Sequence, residues 1–263
     1  MSILYIDNDT AFKESSITEE LKHCNIYFVD TETSGLNARH SKLCLLQIKA
    51  GKNVFVVNVL NISVDNFDKI LGIINTVEKT WVLHNAKFDL KFFYAKGINV
   101  MASIEDTQLM QSCLLQGRSK DKLSLKYLAD EYCNVELDKE EQTSDWTSKL
   151  TDSQIKYAAM DVIILEDIYY KLKASVKANN LEEVVSIENA AVKATARLEF
   201  TGVCIDVDAV RSFKRTLKKH LDEMKKPFRT NNVNVNSPTQ LKRYLLNNRV
   251  SAFQMEKERP PRT

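Results

Sequence analysis

The sequence predicts an α/β fold, a mixed sheet flanked by helices, followed by a helical C-terminal extension. Three runs rich in β-branched and aromatic residues lie close together early in the chain: NIYFVD (25–30), LCLLQIK (43–49) and NVFVVNV (53–59). Their short polar connections, carrying Gly35 and Gly51, suit hairpins. From 104 onward, apolar residues instead recur at spacings of three and four, the helical period. Strands first and helices later, with an alternating stretch between, is a layered α/β pattern.

In order along the chain, a helix is expected near 64–75, and TWVLH (80–84) reads as a further buried strand. KFDLKFFYAKG (87–97) reads as a helix stopped by Gly97. IEDTQLMQSCLL, LSLKYLADEY and a long run over 151–178 extend the helical part. The seam between two domains is placed near 177–182 (KANNLE), which divides the chain into 1–178 and 179–263.

Composition excludes several classes. With 44% hydrophobic and 27% charged residues, and only 6 Gly and 4 Pro, the chain is neither fibrous nor disordered. Apolar runs such as VFVV fall far short of the roughly 20 residues that cross a bilayer. MSILYIDNDT lacks a basic segment followed by an apolar one, so a cytoplasmic or nucleoid-associated protein is expected, neither secreted nor membrane-bound. Five scattered cysteines without a CxxC pair argue against a disulfide framework or a zinc site. From Val207 to Thr263, 14 Lys and Arg stand against 5 Asp and Glu, leaving +9 there and, against a total of +2, −7 on residues 1–206. Charge alone reads Arg211, Lys214, Arg215, Lys218 and Lys219 equally as a solvated helix face or as a nucleic-acid grip.

The residues that suggest chemistry are acids. Asp30 and Glu32, in FVDTETSGL, are two apart at a strand end and therefore share a face. Two adjacent carboxylates there repel unless a cation lies between them. Asp89, in HNAKFDLKFF, falls early in a helix; alone it reads as a first-turn acid. Tyr157 and Asp161, in QIKYAAMDVIILEDIY, are four apart on one helix face, with Asp161 beside apolar packing. Together the four acids form a hard oxygen-ligand set suited to Mg²⁺ or Mn²⁺.

These residues resemble a known family. DTE at Asp30–Glu32, NxxxD at Asn85–Asp89 and YxxxD at Tyr157–Asp161 resemble the three motifs of the DEDD superfamily of 3′→5′ exonucleases, tyrosine subclass. DTETSGL, HNAKFD, LDKEEQTSDW (137–146) and YAAMDV are similar to the proofreading domain of bacterial family A DNA polymerase I, over roughly 25–175. IENAAVKATARLEFTGVCIDVDAV (187–210) and NVNSPTQLKRYL (234–245) resemble the start of the polymerase domain in the same family. These 263 residues contain neither palm nor fingers, so polymerisation is not expected of them, and 250–263 resemble nothing recognised.

The resemblance implies a ribonuclease H-like sheet and a metal-dependent 3′→5′ DNA exonuclease that releases 5′ mononucleotides from single-stranded or frayed 3′ ends. It implies two divalent cations, Mg²⁺ or Mn²⁺. Asp30, Glu32 and Asp161 would hold the first, Asp30 the second, and Asp89 would support the second through water. Tyr157 would orient the attacking water; its alternative is a packing residue with a wet hydroxyl. Thr31, Leu36, Asn85, Lys87 and Arg118 are the implied substrate contacts. Leu36 reads equally as a wedge between terminal bases or as a turn leucine in the core, and Arg118 and Lys120 as phosphate contacts or ordinary loop cations. His84 is read as a strand-end residue, Trp146 as core packing, and Gln142 and Ser144 as loop-ordering groups. A separate polymerase subunit is one partner this reading allows. Two other functions compete with it: ribonuclease D-like RNA trimming, since that family shares the motifs, and a non-catalytic DNA-binding or docking remnant of a polymerase.

Overall fold

A computed structural model describes residues 2–137, 141 and 144–248. A six-stranded mixed sheet runs in the order β1-β4-β3-β2-β5-β6. Its strands are β1 (Ser2–Ile6), β2 (Ile26–Thr33), β3 (Leu43–Ala50), β4 (Asn53–Asn58), β5 (Thr80–Leu83) and β6 (Ser103–Asp106). The β2–β3 and β3–β4 pairs are antiparallel hairpins, whereas β1–β4, β2–β5 and β5–β6 are parallel. The expected strands at 25–30, 43–49, 53–59 and 80–84 are all present.

Helices cover both faces, so successive side chains of one strand enter different cores. All eight residues of β3 are buried. On one face Tyr27, Val29, Ile48, Phe55 and Trp81 pack with residues of α1 (Asp9–Glu14), α2 (Ile17–Lys22), α3 (Val64–Ile74) and α4 (Lys87–Ala95). On the other, Phe28, Leu45, Val54, Val56 and Val82 meet α5 (Thr107–Leu114), α6 (Leu125–Cys133) and the 27-residue α7 (Asp152–Ala178). A capping box of Thr151 and Gln154 starts α7, and Ala158, Val162, Leu165 and Tyr169 are its buried stripe.

One expectation needs correction. The helical pattern expected from 104 onward begins only at Thr107, because Ser103–Asp106 pairs with β5 as an edge strand. Four residues are too few for a periodicity to show. The chain also divides into compact units at Gly202/Val203, beyond the seam placed near 177–182. That seam is the turn between α7 and α8 (Glu182–Thr201), and α8 stays with the first unit because Val192 and Ala196 are buried in the sheet core. The second unit holds α9 (Val207–Thr230) and α10 (Pro238–Asn247). On α9, Val207, Val210, Leu217, Leu221 and Met224 are exposed, as are Arg211, Lys214, Arg215, Lys218 and Lys219. The expectation for 250–263 concerns residues outside the described ones. No described helix is long and apolar enough to cross a membrane.

The layer between β3 and α7 contains one charged tether. The buried Lys49 ammonium pairs with Glu166 of α7 and donates to the Gly51 carbonyl at 2.8 Å. Removing one partner of a buried pair leaves the other charge uncompensated. Glu166→Ala is expected to destabilise the protein by about 2–3 kcal/mol, a fall in Tm of roughly 5–10 °C that calorimetry would measure.

Candidate active site

Asp30 and Glu32 lie two apart on β2, on the face they share with Phe28 and therefore toward α7. Asp161 comes from the middle of α7. Ligand oxygens of Asp30, Glu32 and Asp161 all lie within 4.8 Å of one another. Asp89, in the first turn of α4, lies outside that trio. It is 2% exposed and accepts a 2.5 Å hydrogen bond from the Thr31 hydroxyl. Thr31, an implied substrate contact, thus spends its side chain bracing an acid.

Crowding and burial act on these acids in one direction. Burial pushes the Asp30 carboxyl up to about 7. Burial, with the charges of Asp30, Asp161 and Asp89 added, pushes Glu32 to about 10. Asp89 and Asp161 are raised well above the carboxylate range by burial and then by Asp30. A divalent cation among three hard oxygen donors removes that penalty, so the residues present fit Mg²⁺ or Mn²⁺. Among the described residues the trio has no His or Cys member, and zinc lacks its usual donors.

The acids open onto a cavity of about 600 Å³. Tyr157, one turn before Asp161, lines it and shares a hydrogen bond with the Asp161 carboxylate. Its ring lies 6.2 Å from that of Trp146, tilted by 33°. Trp146 is buried, as its packing role requires, yet it also forms cavity wall. Leu36, 87% exposed, stands at the rim, which removes the core-leucine reading. Asn85 lines the cavity too, in a left-handed backbone conformation (φ 61°) between β5 and α4.

Other expected contacts are placed differently. Lys87 pairs with Glu199 of α8 at 2.6 Å, and Lys91 joins the same carboxylate at 3.0 Å. Arg118 and Lys120 are exposed and do not line the cavity. Ser144 lines it and bonds Glu141. Gln142 lies outside the described residues. His84 does more than end a strand. It lines the cavity with Nδ1 3.0 Å from the Thr107 hydroxyl, and burial lowers its pKa to about 4, leaving the ring neutral at pH 7.

Two supports escaped the sequence reading. The buried Asp106 carboxylate caps α5 through the Gln108 and Leu109 amides, at 2.8 and 3.3 Å. It also takes the Asn85 and Ala86 amides, at 3.1 and 2.8 Å. One acid therefore ties the turn leading to Asp89 to the next strand end. A capping Asp before an apolar run was the available signal. The second support is Gln47 of β3, fully buried with neither amide atom partnered among the described residues. An unpaired buried polar group costs about 1–3 kcal/mol.

Comparison with known proteins follows this geometry. A family model described as 3′-5′ exonuclease matches residues 5–177. The chain is 28% identical to DNA polymerase I of Aquifex aeolicus over an alignment of 264 residues, covering 92% of this chain and 43% of that protein. It is 30% identical to ribonuclease D of Haemophilus influenzae over 158 residues, covering 60% of this chain and 38% of that protein. The chain thus spans less than half the length of either relative. Among solved structures, Escherichia coli RNase D, an exoribonuclease involved in structured RNA processing, matches with a TM-score of 0.66 at 25% identity, over 74% of this chain and 51% of that one. Brucella melitensis NrnC with bound Mg²⁺ shares the fold, with a TM-score of 0.63 at 23% identity, over 79% of this chain and 98% of that one. The family match spans more than half of the sequence and includes every strand and helix that lines the acidic cavity, so the chain belongs to the 3′→5′ exonuclease family, metal-dependent nucleases built on a ribonuclease H-like mixed sheet.

Proposed function

We propose that this chain is a proofreading-type 3′→5′ DNA exonuclease of the DEDD tyrosine subclass. It removes 5′ mononucleotides from single-stranded or frayed 3′ ends. The observation that carries this reading is the convergence of Asp30, Glu32 and Asp161, with Tyr157 one turn from the last, at the floor of one open cavity. Two divalent cations, Mg²⁺ or Mn²⁺, would sit there, one held by Asp30, Glu32 and Asp161 and the other by Asp30 with Asp89 in support. When bound they supply activation of a water and neutralisation of charge on the phosphate.

The chain's own groups do the rest. The Tyr157 hydroxyl, held by Asp161 and walled by Trp146, orients the attacking water. Leu36 at the rim wedges against the terminal base, and Asn85 faces the terminal nucleotide. A single strand bound this way needs stacking and backbone contacts, not a duplex groove.

DNA is preferred over RNA because the similarity to DNA polymerase I covers 92% of the chain, through the segment read as the opening of a polymerase domain. A polymerase, on the same polypeptide or on a separate subunit, is the partner this reading allows. RNA trimming is the second reading, favoured by the likeness to ribonuclease D over 60% of the chain. Turnover of matched DNA and RNA oligonucleotides, each labelled at the 3′ or the 5′ end, with Mg²⁺, Mn²⁺ or chelator, separates the two. Release of 3′-labelled mononucleotide from DNA is expected. Faster cleavage of RNA would overturn the preference.

Three further outcomes are expected. Asp30→Ala abolishes cleavage, a loss of at least about 10³-fold, while circular dichroism shows the fold intact. Leu36→Ala raises KM for single-stranded DNA by roughly tenfold, the loss of one base contact, with little change in kcat. Because the folded-state pKa of Asp30 is raised, the unfolded chain ionises first; stability is full below about pH 4 and is lost as pH rises through about 7. Metal-free protein should therefore melt at lower temperature at pH 8 than at pH 5. Saturating Mg²⁺ or Asp30→Asn should recover most of that difference in a thermal-shift series.

A further inference from the structure

Gln47 stands directly opposite Asp30 in the antiparallel β2–β3 register, and opposite Val56 on its other side in β4. Residues directly opposed in such a pair project from the same face, with Cβ atoms about 5 Å apart. The amide therefore shares the layer beneath α7 with the apolar Phe28, Leu45, Val54 and Val56. Its polar neighbour two residues along, Lys49, is satisfied by Glu166 and the Gly51 carbonyl. Gln47 is 0% exposed, and neither Oε1 nor Nε2 has a partner among the described residues. It is also absent from the cavity lining, so it does not reach a nucleotide. An amide at this place contributes little to packing that Leu or Met would not supply better.

We propose that Gln47 is a positioning residue for Asp30: the two are opposed but not hydrogen-bonded in this arrangement, and on cation binding the unpartnered Nε2–H of Gln47 turns to donate to the Asp30 carboxylate and holds it in the ligating orientation. A carboxylate offers about four lone-pair directions. The trio with Glu32 and Asp161 engages one side of Asp30, and a donor from the neighbouring strand fixes the other. Groups bonded to metal-ligating carboxylates commonly alter metal affinity by about 10–100-fold. The inference rests on the metal-dependent reading given under Proposed function.

The test uses the full chain with Gln47→Met, which keeps the length of the side chain and removes its donor and acceptor. Three quantities are measured: Mn²⁺ affinity by calorimetry without nucleic acid, melting temperature without metal, and kcat and KM on a DNA oligonucleotide. The expected result is a Mn²⁺ dissociation constant raised by about tenfold and a lower kcat at subsaturating metal. KM for DNA should be unchanged, and metal-free melting equal to or above that of the parent. Affinity within about twofold of the parent overturns the proposal. So does weakened affinity accompanied by a metal-free Tm lower by more than about 5 °C, which marks a structural amide. Asp30→Asn is run in parallel. If the parent chain binds no Mn²⁺, the metal-dependent reading fails; if binding is lost with Asp30→Asn but unaffected by Gln47→Met, only the role of Gln47 fails.

Discussion

Mutual repulsion among crowded carboxylates, two of them buried and two half-buried, is the constraint around which this molecule is arranged. Asp30 and Glu32 come from one strand, Asp161 from a helix laid across it, and Asp89 from the first turn of another helix. None of the four has a cationic partner among the described ion pairs. Burial raises each of their pKa values, and neighbouring acids raise those of Glu32, Asp89 and Asp161 further. A fold that left these side chains free would let them swing apart. This one denies them that freedom, because β2 lies in the interior of the sheet and α7 is pinned along its length by Val162, Leu165, Ile168, Tyr169 and Leu172. The strain has a use: it is the driving force that a divalent cation relieves on binding.

The scaffold explains why the acids converge although they are distant in sequence. Alternation on β2 sends Asp30 and Glu32 toward α7, while Val29 enters the opposite core. The parallel β2–β5 pairing then delivers the end of β5, and the left-handed turn at Asn85, beside the end of β2. Asp106 grips that turn through two backbone amides and caps α5 through two more. Asn189 of α8 accepts from the Asp106 amide at 3.0 Å, which draws α8 into the same arrangement. Asp106 resembles the site acids in burial but not in neighbours. Burial raises its pKa against four amide donors that lower it, so it is solvated by backbone, whereas Glu32 faces chiefly the charges of its fellow acids.

Much of this was legible in the sequence, and the legible parts share a physical cause. Strands β2 to β5 carry dense β-branched and aromatic runs because they are buried on two faces, and α7 shows its period over 27 residues. Period-two spacing pairs Asp30 with Glu32 and period-four spacing pairs Tyr157 with Asp161, while joining the two pairs into one ion site rested on the resemblance to the exonuclease motifs. What stayed hidden depends on contacts between elements. β1 pairs in parallel with β4, a partner that local pattern cannot name, and β6 is too short for alternation. The bond from Thr31 to Asp89 spans 58 positions, and the placement of α8 rests on Val192 and Ala196, apolar residues that fit a helix in either unit. Gln47, inside an apolar strand, is visible in the sequence only as an irregularity; its meaning comes from the register that sets it against Asp30.

The pairing of Lys87 with Glu199 bears on how a phosphate would enter. At 38% and 39% exposure both side chains remain well hydrated, and ion pairs of that kind contribute only about 0–1 kcal/mol. Glu199 also holds Lys91, so releasing Lys87 would leave the carboxylate with a cation still in place. A nucleic-acid phosphodiester carries the same single negative charge as the carboxylate it would displace, so the exchange would be near balanced. The pair keeps the Lys87 ammonium at the start of α4, two residues from Asp89. Arg39 makes an analogous tie from the segment between β2 and β3 to the end of α8, donating through Nε to the Phe200 carbonyl at 2.9 Å. Both contacts tie segments next to cavity-lining residues to α8, which packs with the nuclease body through Val192 and Ala196. A chain cut at the turn between α7 and α8 would lose the ties from Glu199, Asn189 and Phe200 at once.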